Sequence, residues 1–110
     1  MNIETQYFKR VVLVTVEGRI DRPNALKLYD AFHELIEDGH NNIVIELSGV
    51  DYMVSEAFRS MFKGRKECKI KGGDIRIANP SKRASELLGI GGLDKVFPIY
   101  DDAISAVGSF

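Results

Sequence analysis

Apolar positions along this chain switch repeatedly between a period of two and a period of three to four. Val11-Val12-Leu13-Val14-Thr15-Val16 is β-branched and apolar and stops at Glu17-Gly18, and Ile3 to Tyr7 precedes it across the basic turn Lys9-Arg10. The two segments predict a hairpin at one edge of a sheet. Pro23 suits a first helical turn, and Ala25, Leu28, Phe32, Leu35 and Ile36 then recur at helical spacing until Gly39, so a first helix follows. Asn42 to Leu47 carries Ile43, Ile45 and Leu47 on one side and Val44 on the other, the pattern of a central strand covered on both faces. From Ser55, the residues Ala57, Met61, Gly64 and Cys68 form one stripe flanked by Phe58 and Phe62, and Gly72-Gly73 ends it; this is a second helix.

The same alternation runs to the end of the chain. Asp74 to Ala78 reads as a half-buried strand, and Asn79-Pro80 opens a short helix with Ala84, Leu87 and Leu88 that Gly89 terminates. Val96-Phe97-Pro98-Ile99 reads as a short strand kept at an edge by its proline, and Asp101-Asp102 supply negative charge to a final helix through Ile104 and Val107. Strands and helices in alternation predict an α/β domain with a mixed sheet of about five strands and about four helices, packed mainly on one face. At 110 residues and 45% hydrophobic content, the chain supports one core and a single domain over residues 1–110.

Charge and cysteine content narrow the function classes. Fifteen basic and 16 acidic residues leave a formal net charge of −1, which gives no global field to recruit nucleic acid or an anionic membrane. Cys68 is the only cysteine, so no internal disulfide and no cysteine zinc site can form, and a reducing cytoplasm is the expected compartment. No secretory signal and no run of about 18 apolar residues occurs, so no membrane association is expected.

No catalytic constellation emerges. His33 and His40 lack partners at metal-ligand spacing, and His40 beside Gly39 is expected to interact with the carboxyl end of the first helix. Gly89-Ile90-Gly91-Gly92 follows a helix and lacks the ending of a phosphate loop, so it reads as a tight turn. The basic run Arg59, Lys63, Arg65, Lys66, Lys69 and Lys71 reads as a solvated outer helix face. No enzyme activity, metal or cofactor is expected. One polar position stands out: Ser55 lies where a helix begins, and serine there is among the best amino-terminal caps.

The ordered segments carry a resemblance. Val16-Glu17-Gly18-Arg19-Ile20-Asp21, Ile43-Val44-Ile45-Glu46-Leu47-Ser48-Gly49-Val50, Tyr52-Met53-Val54-Ser55, Gly72-Gly73, Asn79-Pro80-Ser81 and Gly91-Gly92-Leu93-Asp94-Lys95-Val96-Phe97 together resemble the STAS domain (sulfate transporter and anti-sigma factor antagonist). The resemblance covers nearly the whole chain. It implies a small cytoplasmic anti-sigma factor antagonist, not an enzyme, that binds a serine-kinase-type anti-sigma factor and thereby frees a sigma factor. In that family the loop before the second helix usually reads Asp-Ser-Ser/Thr-Gly, and the alignment puts its phosphoacceptor at Ser55. Val54, Glu56 and Ala57 replace the aspartate, the second hydroxyl and the glycine, which stiffens the loop and sets a carboxylate beside the hydroxyl.

The resemblance implies a partner surface of Asp21, Arg22, Asn24, Met53, Ser55, Glu56 and Arg59. Two alternatives stay open. One is a scaffold or regulatory subunit that binds its partner constitutively, with Ser55 as an ordinary cap. The other is a nucleotide or lipid sensor, although no phosphate cradle is recognisable. A second copy of the chain is a further possible partner through an open sheet edge.

Overall fold

A computed structural model describes all 110 residues. Five strands form one sheet in the order β1-β2-β3-β4-β5: β1 Asn2–Tyr7, β2 Val12–Ile20, β3 Asn42–Met53, β4 Asp74–Ala78 and β5 Ile99–Tyr100. β1 pairs antiparallel with β2 through the Lys9-Arg10 turn, and every later pair is parallel. Each parallel step is spanned by a helix: α1 Arg22–Glu37, α2 Ser55–Ile70 and α3 Lys82–Ile90. Parallel crossovers share one hand, so three successive steps in one direction put all three helices on one face. Their apolar stripes and the sheet enclose a core of 23 buried residues, among them Leu28, Phe32, Met61, Cys68, Ile75 and Leu88.

The opposite face is covered by one short helix, α4 Ala103–Gly108, whose buried Ala106 packs on Val44 and Ala78. Val44 thus faces away from Ile43 and Ile45, as its pattern predicts. α1 and α2 lie side by side, and Gly64 makes their close approach possible. A Cβ there would sit 2.8 Å from the Phe32 ring. Burial of the Cys68 thiol between α2 and the sheet pushes its pKa up to about 12. Tyr29 of α1 donates a 2.5 Å hydrogen bond to Glu67 of α2, which raises the phenol to about 12.

Three sequence expectations need correction. The last strand begins at Ile99, because Val96 and Phe97 close a 3-10 turn (Leu93–Lys95), with the Val96 and Phe97 amides both donating to the Leu93 carbonyl. α3 starts at Lys82 instead of at Pro80, capped by Ser81 accepting from the Ala84 amide at 3.0 Å. The basic run on α2 is only partly solvated: Arg65 Nε donates at 2.8 Å to buried Asp74, which also pairs with Arg76 at 3.2 Å and Lys69 at 3.7 Å. A buried carboxylate is stable only when paired in this way. Arg59, Lys63 and Lys66 do share an exposed face.

Candidate functional site

β2 and β3 run parallel and finish together, with Ile20 and Met53 as their last register pair. Each strand passes through one residue into a helix, Asp21 into α1 and Val54 into α2. Two helix amino termini therefore stand side by side at one end of the sheet. Each brings orphan backbone N–H groups and a partial positive charge to that end.

The two termini are built differently. Asp21 Oδ1 accepts from the Asn24 amide at 3.1 Å, and Asn24 Nδ2 donates to the Arg19 carbonyl at 2.9 Å. Asp21 and Asn24 thus form a closed local knot. α2 has Val54 at its capping position and no side-chain cap; only backbone bonds hold the turn, from Val54 N to the Ile20 carbonyl at 3.0 Å and from Ala57 N to the Val54 carbonyl at 2.9 Å. Ser55 is the first residue inside the helix. It is exposed, and its hydroxyl has no hydrogen-bond partner in the protein. The expected capping role for Ser55 is therefore corrected: the helix begins one residue too early for its hydroxyl to reach the orphan donors.

Arg22 and Glu56 bridge the termini, Nε to Oε2 at 2.8 Å. The Arg22 side chain is 83% exposed, so the pair orients Glu56 more than it stabilises the fold. Below this bridge lies a groove of about 410 Å³ between α1 and α2, lined by Arg22, Pro23, Leu26, Glu56, Arg59 and Ser60 among others. Ser60 Oγ donates to the Ala25 carbonyl at 2.8 Å and so fastens its floor. Leu26 projects 64% exposed. Its signal was present in the sequence, since Leu26 is an apolar residue off the Ala25, Leu28, Phe32 stripe.

Of the seven residues expected at a partner surface, the structure gathers Asp21, Arg22, Asn24, Ser55, Glu56 and Arg59 at this end. Met53 does not belong with them. It is 4% exposed and sits in the main core beneath the two helix termini, so it supports the site and cannot touch a partner. The histidines lie elsewhere: His33 is 3.7 Å from Glu67 and 3.8 Å from Glu37. The His40 backbone amide donates to the Leu35 carbonyl at 2.9 Å at the carboxyl end of α1, and its ring lies 5.1 Å from that of Tyr7. No group of three or more His, Cys, Asp or Glu side chains converges as a metal site requires. No helix is long and apolar enough to cross a membrane.

Comparison with known proteins gives a consistent picture. Residues 2–106 match the family described as the STAS domain. The chain is 25% identical over 108 residues to the anti-sigma F factor antagonist of Paenibacillus polymyxa, covering 97% of this chain and 92% of the relative. The crystal structure of an anti-sigma factor antagonist from Mycobacterium paratuberculosis matches with a TM-score of 0.86 at 23% identity, over 98% of this chain and 92% of that one. The Bacillus cell fate determinant SpoIIAA in its phosphorylated form matches with a TM-score of 0.76 at 15% identity, over 98% of each chain. At these identities the structural likenesses establish the fold.

Proposed function

Because this chain belongs to the STAS domain family, and has a relative named as an anti-sigma F factor antagonist along nearly its full length, we propose that it is a cytoplasmic, non-enzymatic anti-sigma factor antagonist. Its partner is a serine-kinase-type anti-sigma factor, it docks through the paired amino termini of α1 and α2, and phosphorylation of Ser55 switches docking off. The observation that carries this reading is the Ser55 hydroxyl: exposed, unbonded and placed at the start of α2. A capping serine would have to leave its backbone partner before a kinase could use it; Ser55 has nothing to leave.

A phosphate there adds about −1.5 to −2 charges. In the free protein the uncapped amino terminus of α2 tolerates that charge, and Arg59 one turn along the helix can face it. Against a partner that excludes water, the same charge costs several kcal/mol unless a cation meets it. Phosphorylation therefore changes binding and leaves the fold intact. The test is intact-mass spectrometry of the protein incubated with ATP and the serine-kinase anti-sigma factors of its host, beside Ser55→Ala. One phosphate on the parent and none on the variant supports the switch.

One observation favours a second reading. Glu56, held by Arg22, places a carboxylate next to the phosphoacceptor, where it repels an incoming phosphoryl group. A kinase that binds tightly yet transfers nothing would make this a constitutive binding module, using Arg22, Leu26, Glu56 and Arg59 as its contact set.

A further inference from the structure

The two edges of the sheet are unequal. β5 ends one side with only two residues, directly after Pro98, and is too short to template a further strand. β1 ends the other side with six residues, Asn2–Tyr7, of which only Ile3 is half-buried and the rest are exposed. It has none of the usual devices that blunt a free edge. It contains no proline or lysine, its register with β2 runs without a bulge, and Glu4 is its only charge.

The phase of the β1–β2 ladder decides which backbone groups are free. The Phe8 amide donates to the Val11 carbonyl at 2.8 Å across the Lys9-Arg10 turn. In an antiparallel pair, successive residues of one strand point their N–H and C=O groups alternately toward the neighbour and away from it. Phe8, Gln6, Glu4 and Asn2 therefore bond to β2, and Tyr7, Thr5 and Ile3 face outward. No turn, loop or cap hydrogen bond of the backbone engages these outward groups. Water alone could satisfy them, so a partner has to be argued from what the edge fits.

It fits itself. Two antiparallel copies of β1 about a two-fold axis can bond only where outward residues oppose outward residues. Centring the axis on Thr5 opposes all three: Thr5 meets its own counterpart and Ile3 meets Tyr7 on either side, which gives about six hydrogen bonds at two for each pair. Centring on Glu4 or on Gln6 loses about two of these, and Glu4 would then also face Glu4. The side chains agree with the backbone. Ile3 packs on the main core, and Thr5 and Tyr7 line a groove with Ala31 and Leu35 of α1, so all three share the α1 face. The pairs formed there join Ile with Tyr and Thr with Thr, both favoured cross-strand combinations. On the other face Glu4 meets Gln6, and no carboxylate meets a carboxylate.

We propose that β1 is a dimerisation edge, to which a second copy of this chain adds its own β1, antiparallel and centred on Thr5, making one continuous sheet. A single strand pair is small beside the about 1,200 Å² of a stable interface, so the dimer is weak, with Kd of about 10 µM to 1 mM. It uses none of the residues around Ser55 and does not rest on the proposed switch.

The test is sedimentation equilibrium of the full chain from about 5 µM to about 2 mM, with hydrogen exchange of the ¹⁵N-labelled protein at both ends of that range and an alternating threonine-valine peptide as a parallel probe. The average mass should rise from 12.3 kDa toward twice that value. The Ile3, Thr5 and Tyr7 amides should gain protection with concentration, while those of Glu4 and Gln6 are protected throughout. Thr5→Pro removes an outward N–H and leaves the bonds to β2 in place, so it should abolish the dimer. Gln6→Glu sets a second carboxylate against Glu4 and should raise Kd at least about threefold, whereas Gln6→Lys should lower it by a similar factor. A monomer at every concentration, a dimer indifferent to Thr5→Pro, or Gln6 variants that shift Kd in the same direction would overturn the proposal. Protection of the three outward amides by the threonine-valine peptide, without a rise in mass of the protein alone, would assign the edge to another protein's strand and overturn it too.

Discussion

α1 and α2 are each 16 residues long, each follows a parallel strand through one residue, and they begin side by side. Their first turns nevertheless solve the same physical problem in opposite ways. α1 spends the side chain of Asp21 on its own first turn and that of Asn24 on the end of β2, whereas α2 leaves its first turn without a side-chain cap and its first hydroxyl idle. In the capped terminus the two capping side chains, Asp21 and Asn24, are already engaged, while Arg22 and Leu26 beside them stay exposed. An uncapped terminus keeps donors and a hydroxyl in reserve, at some cost in local stability. The two first turns thus differ in what is left free: that of α1 has its capping side chains bonded, and that of α2 keeps unpaired donors and an unbonded hydroxyl.

The largest expected effect lies beneath both termini. Ile20 and Met53 are paired in register and buried, and together they support the two first turns. Met53→Arg should destabilise the fold by at least about 3 kcal/mol, because it buries an unpaired charge, and urea denaturation would show it as a lower midpoint. A variant with parental stability and altered partner affinity would instead put Met53 on the surface and break the comparison at its base.

The caps themselves come next, and they should move in opposite directions. Asp21→Ala should cost about 1 kcal/mol, the usual loss of a capping side chain. Val54→Asp should gain about 0.5–1 kcal/mol, because Val54 already has the extended backbone of a capping residue, with φ −89° and ψ 167°. It would also restore the aspartate usual in the family's loop. Urea midpoints at unchanged m-value would read both effects. Equal destabilisation by both substitutions would show that α2 is not short of a cap.

How much of this was legible in the sequence follows from which periods stay regular. The α2 stripe was, since Ala57, Met61, Gly64 and Cys68 keep helical spacing and are all buried. The two-sided burial of β3 was as well, over Ile43 to Leu47. Past Leu47 the strand loses its period: Ser48 and Gly49 are exposed, and the next buried residues, Val50 and Met53, are three apart. The β2–β3 register also shifts twice in this region. An alternating pattern therefore could not report that Met53 points inward. The cap was missed by one residue for a related reason, since Ser55 has the right chemistry and only backbone geometry reveals that Val54 occupies the capping position. The Arg22–Glu56 pair joins residues far apart in the chain, so no local pattern contains it.

The smallest expected effect is the sharpest. Ser55→Ala should leave stability within about 0.5 kcal/mol of the parent, because an exposed hydroxyl without a partner contributes no bond to lose and alanine is the better helix former. The same substitution should remove every trace of phosphate acceptance. Folding and signalling then separate at a single oxygen atom, which is what an uncapped terminus permits and a capped one does not. A loss of about 1 kcal/mol would instead mean that the hydroxyl caps α2 in solution. In that case a kinase could reach Ser55 only by fraying the first turn, and α2 would be built like α1.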